Sequence, residues 1–358
     1  MEEENQLPWI ESTQNPWNIR LLDLRPITQV MISSSNDPVF AENALSFAAE
    51  DGQVFWGKEP ENRNSTLVNL KYCIDRKLEP GVLFSPDCME HKWAIFYDGL
   101  YIIVVRSWLK EVVFRAKTTQ ESNILTVSKI EGRIGEGDSE AFTATIFNFL
   151  ILSHCLDAVV PAPLPSGLEE DTENAAYWAF SLYGKMAYVG TFDENLLAQS
   201  SAVLRTNSLL HIAAAKSDLA GIEKYITEGI EINCLSGDGL CPLHWSTYPE
   251  NCDAMKNLIN LGADVNAKSL DGTTALMLAV EDKKENHVLM LLKSGAAVNE
   301  VDYRGFSALH RAAEMGLAQI VQLLLDYGAN KKLYADSHTA LSLAIMNKHS
   351  EITELLKD

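Results

Sequence analysis

The chain changes its hydrophobic rhythm near residue 200. Upstream, apolar runs of strand length are mixed with stretches of helical spacing. Downstream, one composite pattern returns at a fixed interval. In the upstream part, Trp93-Ala-Ile-Phe-Tyr97 and Leu100–Val105 flank Asp98-Gly99, a favoured two-residue hairpin turn. Glu111–Ala116 and Ile124–Ile130 extend that hairpin into an antiparallel meander. Helical spacing predicts helices over about 38–50, with Ala44, Leu45, Phe47 and Ala48 as the apolar face, and over 64–76, 139–156 and 171–184. Val54-Phe55-Trp56 predicts a strand, and Pro161-Ala-Pro-Leu-Pro-Ser-Gly167 is too rich in proline to be helical. Residues 1–37, with Pro8-Trp9 and Pro16-Trp17, show weak periodicity and are expected to form an irregular segment pinned by aromatics. These elements together read as an α+β domain, an antiparallel sheet with helices alongside.

Downstream the period is 33. Gly229, Gly262, Gly295 and Gly328 are equally spaced, as are Gly239, Gly272 and Gly305, and Asn233, Asn266 and Asn299. Ser208-Leu-Leu-His211, Cys241-Pro-Leu-His244, Thr274-Ala-Leu-Met277, Ser307-Ala-Leu-His310 and Thr339-Ala-Leu-Ser342 share the register, the last one residue early. Ser or Thr before a helix caps orphan backbone N–H groups, and Pro242 stands where no donor is needed. Ala213-Ala214 and Ala312-Ala313 allow close helix approach. Second helices, such as the one holding Ile320, Val321, Leu323, Leu324 and Leu325, end at a glycine suited to a left-handed cap. Each repeat thus presents an apolar face that only a neighbouring repeat can bury, which predicts an all-α solenoid.

These motifs resemble the ankyrin repeat family, whose T-P-L-H helix start and G-A-D-V-N turn are matched by Cys241-Pro-Leu-His244 and Gly262-Ala-Asp-Val-Asn266. The resemblance covers about residues 204–358, in five repeats near 204–236, 237–269, 270–302, 303–334 and 335–358. The chain is therefore read as an α+β domain over 1–200 followed by five ankyrin repeats over 201–358. Repeat two has Ser246-Thr247-Tyr248-Pro249-Glu250 where the family prefers Ala-Ala-x-x-Gly, so its inter-helix turn is expected to be distorted. The short loop of repeat five is expected to be remodelled. His211, His244 and His310 fall on successive repeats, which assigns them structural hydrogen bonds and excludes a shared metal.

The resemblance implies a protein partner held by loop tips, first-helix ends and the concave face. In this register the tips are Leu235, Asp238 and Leu240; Lys268, Leu270 and Thr273; and Val301, Tyr303, Arg304 and Phe306. The helix ends are Tyr248, Glu281, Asp282, Glu314 and Met315. The expected partner-binding set is Leu240, Tyr248, Lys268, Leu270, Tyr303, Arg304, Phe306 and Met315, in which Tyr, Arg and Phe are types that concentrate binding energy. Packing of some of these side chains on a neighbouring repeat or on the first domain is the competing expectation.

Charge and chemistry narrow the picture. The formal net charge is −20, and both parts are acidic: 15 Lys+Arg against 29 Asp+Glu through residue 200, and 14 against 20 after it. A negative field disfavours nucleic acid and anionic membranes and favours a neutral or basic protein partner. The acidic start, Met1-Glu-Glu-Glu-Asn5, and the lack of a long apolar run point to a cytoplasmic protein, and six scattered cysteines without a CxxC pair to free thiols. No phosphate-binding, HExxH or GxSxG motif is present, so neither a cofactor nor a catalytic role is expected. Two sets of reactive types, Cys88-Met-Glu-His91 and His154-Cys155, define the alternative: an enzyme with its site in the first domain and repeats that recruit substrate. A further alternative is an acidic inhibitor or immunity-type protein.

Overall fold

The computed structural model describes residues 6–33, 38–47 and 50–357, without the side chains of Ala41, Ala44 and Leu45. The chain divides into two compact units, Met1–Thr206 and Asn207–Asp358.

The first unit is built on an antiparallel sheet. Its small first elements are β1 (Trp9–Ile10), β2 (Leu21–Asp23), α1 (Arg25–Thr28) and α2 (Pro38–Ser46). Then come β3 (Ser65–Cys73), β4 (Gly81–Phe84), β5 (Trp93–Tyr97), β6 (Tyr101–Arg106), β7 (Glu111–Glu121) and β8 (Ile124–Glu131), ordered β4-β5-β6-β7-β8-β3 in the sheet. The hairpin expected between β5 and β6 forms, with its turn one residue later than expected: Tyr97 lies opposite Ile102 and Asp98 N–H donates to Tyr101 O at 3.1 Å, so Gly99 and Leu100 make the turn. Helix α3 (Glu140–Leu150) runs into a π-helical segment, Ile151–Cys155, and β9 (Ala162–Pro163), α4 (Thr172–Tyr183) and β10 (Val189–Thr191) complete the unit. The strands β1, β2, β10 and β9 form a second, small sheet in which only the β10–β9 pair is parallel.

Central strand β5 is buried at every residue. One face carries Trp93, Ile95 and Tyr97 into a core with Phe114, Phe147 and Tyr183. On the other, Phe96 stacks on Phe55 and Phe47 at ring centroid distances of 5.5 and 6.2 Å. A buried Asn148 on α3 accepts a hydrogen bond from Tyr72 Oη (3.1 Å) and donates to the Ala198 carbonyl (2.9 Å), tying sheet, helix and the outgoing segment together. Residues 203–206 stay with this unit: the Leu204 N–H donates to Cys73 O at 2.7 Å and Arg205 pairs with Asp75 at 2.7 Å.

Three upstream expectations are corrected. The segment expected to be irregular contributes β1, β2 and α1, with β1 and β2 paired in the small sheet, although Trp9 and Trp17 do pack against the core. Residues 65–73 form a strand, not a helix: Thr66, Leu70 and Tyr72 are buried on one face, while Leu67, 82 % exposed, imitates a helical partner of Leu70. Val54-Phe55-Trp56 does not extend as a strand. Gln53–Phe55 is a 3-10 turn entered through Gly52 at φ 85°, where a Cβ would sit 2.3 Å from the Phe96 ring. Of the apolar face expected near residue 45, the Ala44 and Leu45 side chains and Ala48 lie outside the described residues, and Phe47 is buried.

The second unit contains five helix pairs: α5 (Leu209–Lys216) with α6 (Leu219–Thr227), α7 (Pro242–Trp245) with α8 (Asp253–Asn260), α9 (Ala275–Glu281) with α10 (Glu285–Lys293), α11 (Ala308–Glu314) with α12 (Ala318–Asp326), and α13 (Ala340–Met346) with α14 (Ser350–Leu356). First helices pack consecutively, α5 on α7, α7 on α9, α9 on α11 and α11 on α13. The small residues Ala213, Ala214, Ala279, Ala312, Ala313 and Ala344 are buried at those contacts. This is helix-on-helix stacking in one dimension, each pair supporting the next.

Candidate functional site

The tips of the second unit are short hairpin turns locked by their own backbones. The Ser236 N–H donates to Leu240 O (2.8 Å), Ser269 N–H to Thr273 O (2.9 Å) and Asp302 N–H to Phe306 O (3.0 Å). Adjacent tips are joined as well, since Leu270 N–H donates to Gly239 O (3.1 Å) and Tyr303 N–H to Asp271 O (3.0 Å). Glycine is required here for two reasons. Gly239 and Gly272 have φ of 79° and 84°, and a Cβ would strike Leu270 at 2.7 Å and Tyr303 at 3.0 Å. The fifth tip is one residue shorter and uses a two-residue turn, with Asp336 and Ser337 at φ 46° and 70° inside paired Ala335–His338 hydrogen bonds of 2.8 Å. That is the remodelling expected of the short loop.

The helix starts are fixed by the recurrent histidines. Backbone N–H groups of Ser208, Cys241 and Ser307 donate to Nδ1 of His211, His244 and His310, each at 3.2 Å. Nδ1 is therefore the acceptor, and the proton on Nε2 is donated to a carbonyl, of the following repeat for His211 (Leu240, 3.1 Å) and His244 (Thr273, 2.9 Å) and at the end of its own repeat for His310 (Leu333, 3.0 Å). Burial pushes all three histidines below their usual pKa, His211 to about 4. The 33-residue asparagines act across repeats too. Asn233, Asn266 and Asn299 accept from the N–H of Asp264, Ala297 and Asn330 at 3.1, 2.8 and 2.7 Å.

The expected distortion of repeat two has a specific cause. Helix α7 ends after a single turn because the Ser246 and Thr247 hydroxyls, both fully buried, bond back to the carbonyls of Leu243 (2.7 Å) and His244 (2.8 Å). The freed carbonyls of Thr247, Tyr248 and Pro249 converge on Lys284 Nζ of the next repeat at 3.0, 2.6 and 3.0 Å. Nothing in the period marks Lys284, because it answers a local departure from it.

The predicted contact residues separate into three groups. Leu270, Tyr303, Tyr248 and Met315 are exposed, Tyr303 most of all at 76 %. Lys268 and Arg304 are exposed but engaged: Lys268 pairs with Glu300 at 2.7 Å, and Arg304 with Asp336 at 3.5 Å while lying 4.9 Å over the Phe306 ring. Leu240 and Phe306 are half-buried, Phe306 edge-on to His310 at 5.8 Å, and of the wider tip set Thr273 is buried. The stack therefore covers part of the set, while Leu270, Tyr303, Tyr248 and Met315 remain outward. Beyond the predicted set, Tyr334, 71 % exposed just before the fifth tip, and Ile345 and Met346, 56 % and 62 % exposed at the end of α13, were not foreseen. Carrying the register one repeat further would have found them. Arg311 was missed as well; its guanidinium joins Asp302 (2.8 Å), Glu281 and Thr273 (3.2 Å) across two repeats.

In the first unit, burial pushes the Cys155 thiol well up and His154 down to about 3, and the His154 Nε2 has no hydrogen-bond partner. A cleft of about 1190 Å3 is lined by Trp93, Trp178, Arg106, Arg133, Lys58 and Glu136, among others. Arg106 lies 4.8 Å over the Trp93 ring and donates to Leu182 O at 2.9 Å. Neither Cys88, His91, His154 nor Cys155 borders it. None of the six cysteines is in a disulfide, and no described helix is long and apolar enough to cross a membrane.

No curated protein matches the chain. A family model described as ankyrin repeats, in three copies, matches residues 210–302 and 297–358. That span coincides with the helix pairs, the shared histidine caps and the glycine tips, and the C-terminal region of this chain, residues 210–358, belongs to the ankyrin repeat family.

Proposed function

We propose that this chain is an adaptor or regulatory protein of the cytoplasm whose repeat tips and first-helix ends hold a neutral or basic protein partner. Ankyrin repeats generally serve as protein-interaction modules. The observation that carries the reading further is the outward row of large side chains, Leu270 and Tyr303 at tips, Tyr334 just before the fifth tip, and Tyr248, Met315 and Met346 at helix ends. Such residues lie on a backbone held rigid by tip-to-tip hydrogen bonds, so little ordering cost attends their use in binding. Exposed Asp238, Asp282 and Glu314 in the same register favour a partner without excess negative charge.

The test compares the full chain with Tyr303→Ala and Tyr303→Ala/Phe306→Ala, measuring capture of partner proteins beside thermal unfolding. A fall in capture of about tenfold or more for Tyr303→Ala with an unchanged midpoint supports the reading. Unfolding at lower temperature with capture intact sinks it and assigns these residues to packing. The cleft of the first unit favours a second reading, a ligand-binding or catalytic unit to which the repeats bring substrate. Small molecules that quench Trp178 fluorescence saturably, and fail to protect an Arg133→Ala variant, would favour it.

A further inference from the structure

The connection from β4 to β5 places three different metal-binding side chains together. We propose that Asp87, Cys88 and His91 form a site for a zinc-class divalent cation, with its fourth position open to solvent. A carboxylate oxygen, the thiol sulfur and an imidazole nitrogen all lie within 4.8 Å of one another. Tetrahedral coordination at about 2.0–2.3 Å holds such atoms about 3.3–3.7 Å apart, so closure needs shifts of about 1 Å. The Asp87 side chain is 81 % exposed and can supply them.

The local hydrogen bonding leaves room for the cation. His91 Nδ1 lies 2.8 Å from Asp87 Oδ1, yet this buried nitrogen makes no hydrogen bond, because the contact is off the line of a ring N–H. A simple histidine–carboxylate pair would align the proton. A nitrogen facing a carboxylate and a thiol without one is the arrangement that a bound cation completes.

The loop is also pre-positioned. Its turn closes with His91 N–H donating to Cys88 O at 3.1 Å. The Met89 carbonyl accepts from Lys92 Nζ (3.0 Å) and Trp108 Nε1 (3.2 Å), and the His91 carbonyl from Ser107 Oγ (3.0 Å). Glu90 accepts from the Ser33 N–H at 3.0 Å and also from the Cys88 thiol, a hydrogen bond that the metal would replace when the thiol proton leaves. Anchored backbone holds the three donors near their bound positions, which lowers the cost of assembling them. On binding, Cys88 releases its thiol proton to solvent as the sulfur–metal bond forms, and thiolate and carboxylate balance the charge of the ion. This sulfur, nitrogen and oxygen set selects zinc or cobalt over magnesium and calcium, which take oxygen ligands.

The test is a Co2+ titration of the reduced, metal-free full chain, followed by absorbance and then Zn2+ competition. One equivalent giving a thiolate-to-cobalt charge-transfer band, displaced by Zn2+, is expected. The band should disappear in Cys88→Ser, persist in Cys73→Ser, and require at least about tenfold more Co2+ in His91→Gln and Asp87→Asn. Absence of the band in the wild type, or its survival in Cys88→Ser, overturns the site and leaves Asp87–His91 as an ordinary surface pair. Should Cys88→Ser fail to fold by circular dichroism, wild-type Co2+ affinity in His91→Gln overturns it equally.

Discussion

Histidine is used in opposite ways by the two units. In the repeats, His211, His244, His287 and His349 each donate a ring N–H to a carbonyl of a neighbouring repeat, and His310 donates to Leu333 O at the end of its own, all at 2.9–3.1 Å. In the first unit, His91 Nδ1 and His154 Nε2 are buried with no hydrogen-bond partner. A repeated histidine has the same neighbours every 33 residues, so its environment can be satisfied once and copied. A histidine in the α+β unit is placed by strands and helices distant in sequence. Its unmet nitrogen marks a position where packing and hydrogen bonding do not coincide, and such positions are where chemistry concentrates.

The contrast extends to stability, and the largest effect should come from the first unit's core. Phe114 is fully buried, with Trp93 at 6.4 Å and Phe147 at 6.1 Å. Phe114→Ala should cost about 3–5 kcal/mol. Hydrogen exchange should then rise through all of β3–β8, because one core joins them. Leu291→Ala, in the repeats, should raise exchange mainly in repeats two to four, because a solenoid transmits loss to neighbours. Uniform exchange along all five repeats would break the comparison.

Acid should act next in size. His211 is held to about 4 against an ordinary value of 6.5, with burial as the largest cause. Its folded pKa is lowered, so the unfolded chain takes the proton first. The stability it contributes is complete above about pH 6.5, declines as pH falls, and is gone by about pH 4, on the order of 3 kcal/mol. Denaturant unfolding at pH 7, 5.5 and 4 should show this, and His211→Gln should flatten the part of the slope due to the repeats. An unchanged slope would mean that His211 is protonated in the fold.

A smaller effect sharpens the distinction between periodic and local design. Lys284→Met leaves the carbonyls of Thr247, Tyr248 and Pro249 without their shared donor. A loss of about 2 kcal/mol is expected, with exchange rising over 242–250 before the rest of the stack. Thermal unfolding within about 0.5 kcal/mol of wild type would show that water replaces the lysine.

These differences explain what could be read from residues alone. The repeats were legible because one environment recurs, so glycine tips, histidine caps and asparagine bridges appear as a period. Departures from it were legible as departures, as at Ser246-Thr247, but the compensating Lys284 was not. In the first unit the hairpin near Asp98-Gly99 and the helices at 139–156 and 171–184 carried local signals. The strand at 65–73 did not, since exposed Leu67 obscured its period of two. Cys88 and His91 were visible as reactive types, whereas their approach to Asp87 depends on a loop held by Lys92, Ser107 and Trp108. For the partner surface, sequence supplied the register, and the fold separated outward Tyr303, Tyr248, Leu270 and Met315 from half-buried Leu240 and Phe306.

The most direct measurement of partner binding is site-specific photocrosslinking in the full chain, in extract of the cell that makes it. A photoreactive residue is placed at 303, at 248, or at exposed Lys256 on a second helix. The account predicts a discrete protein adduct from 303 and 248 and none from 256. Adducts that appear equally from 256, or from none of the three positions while the chain still retains a partner, would contradict it.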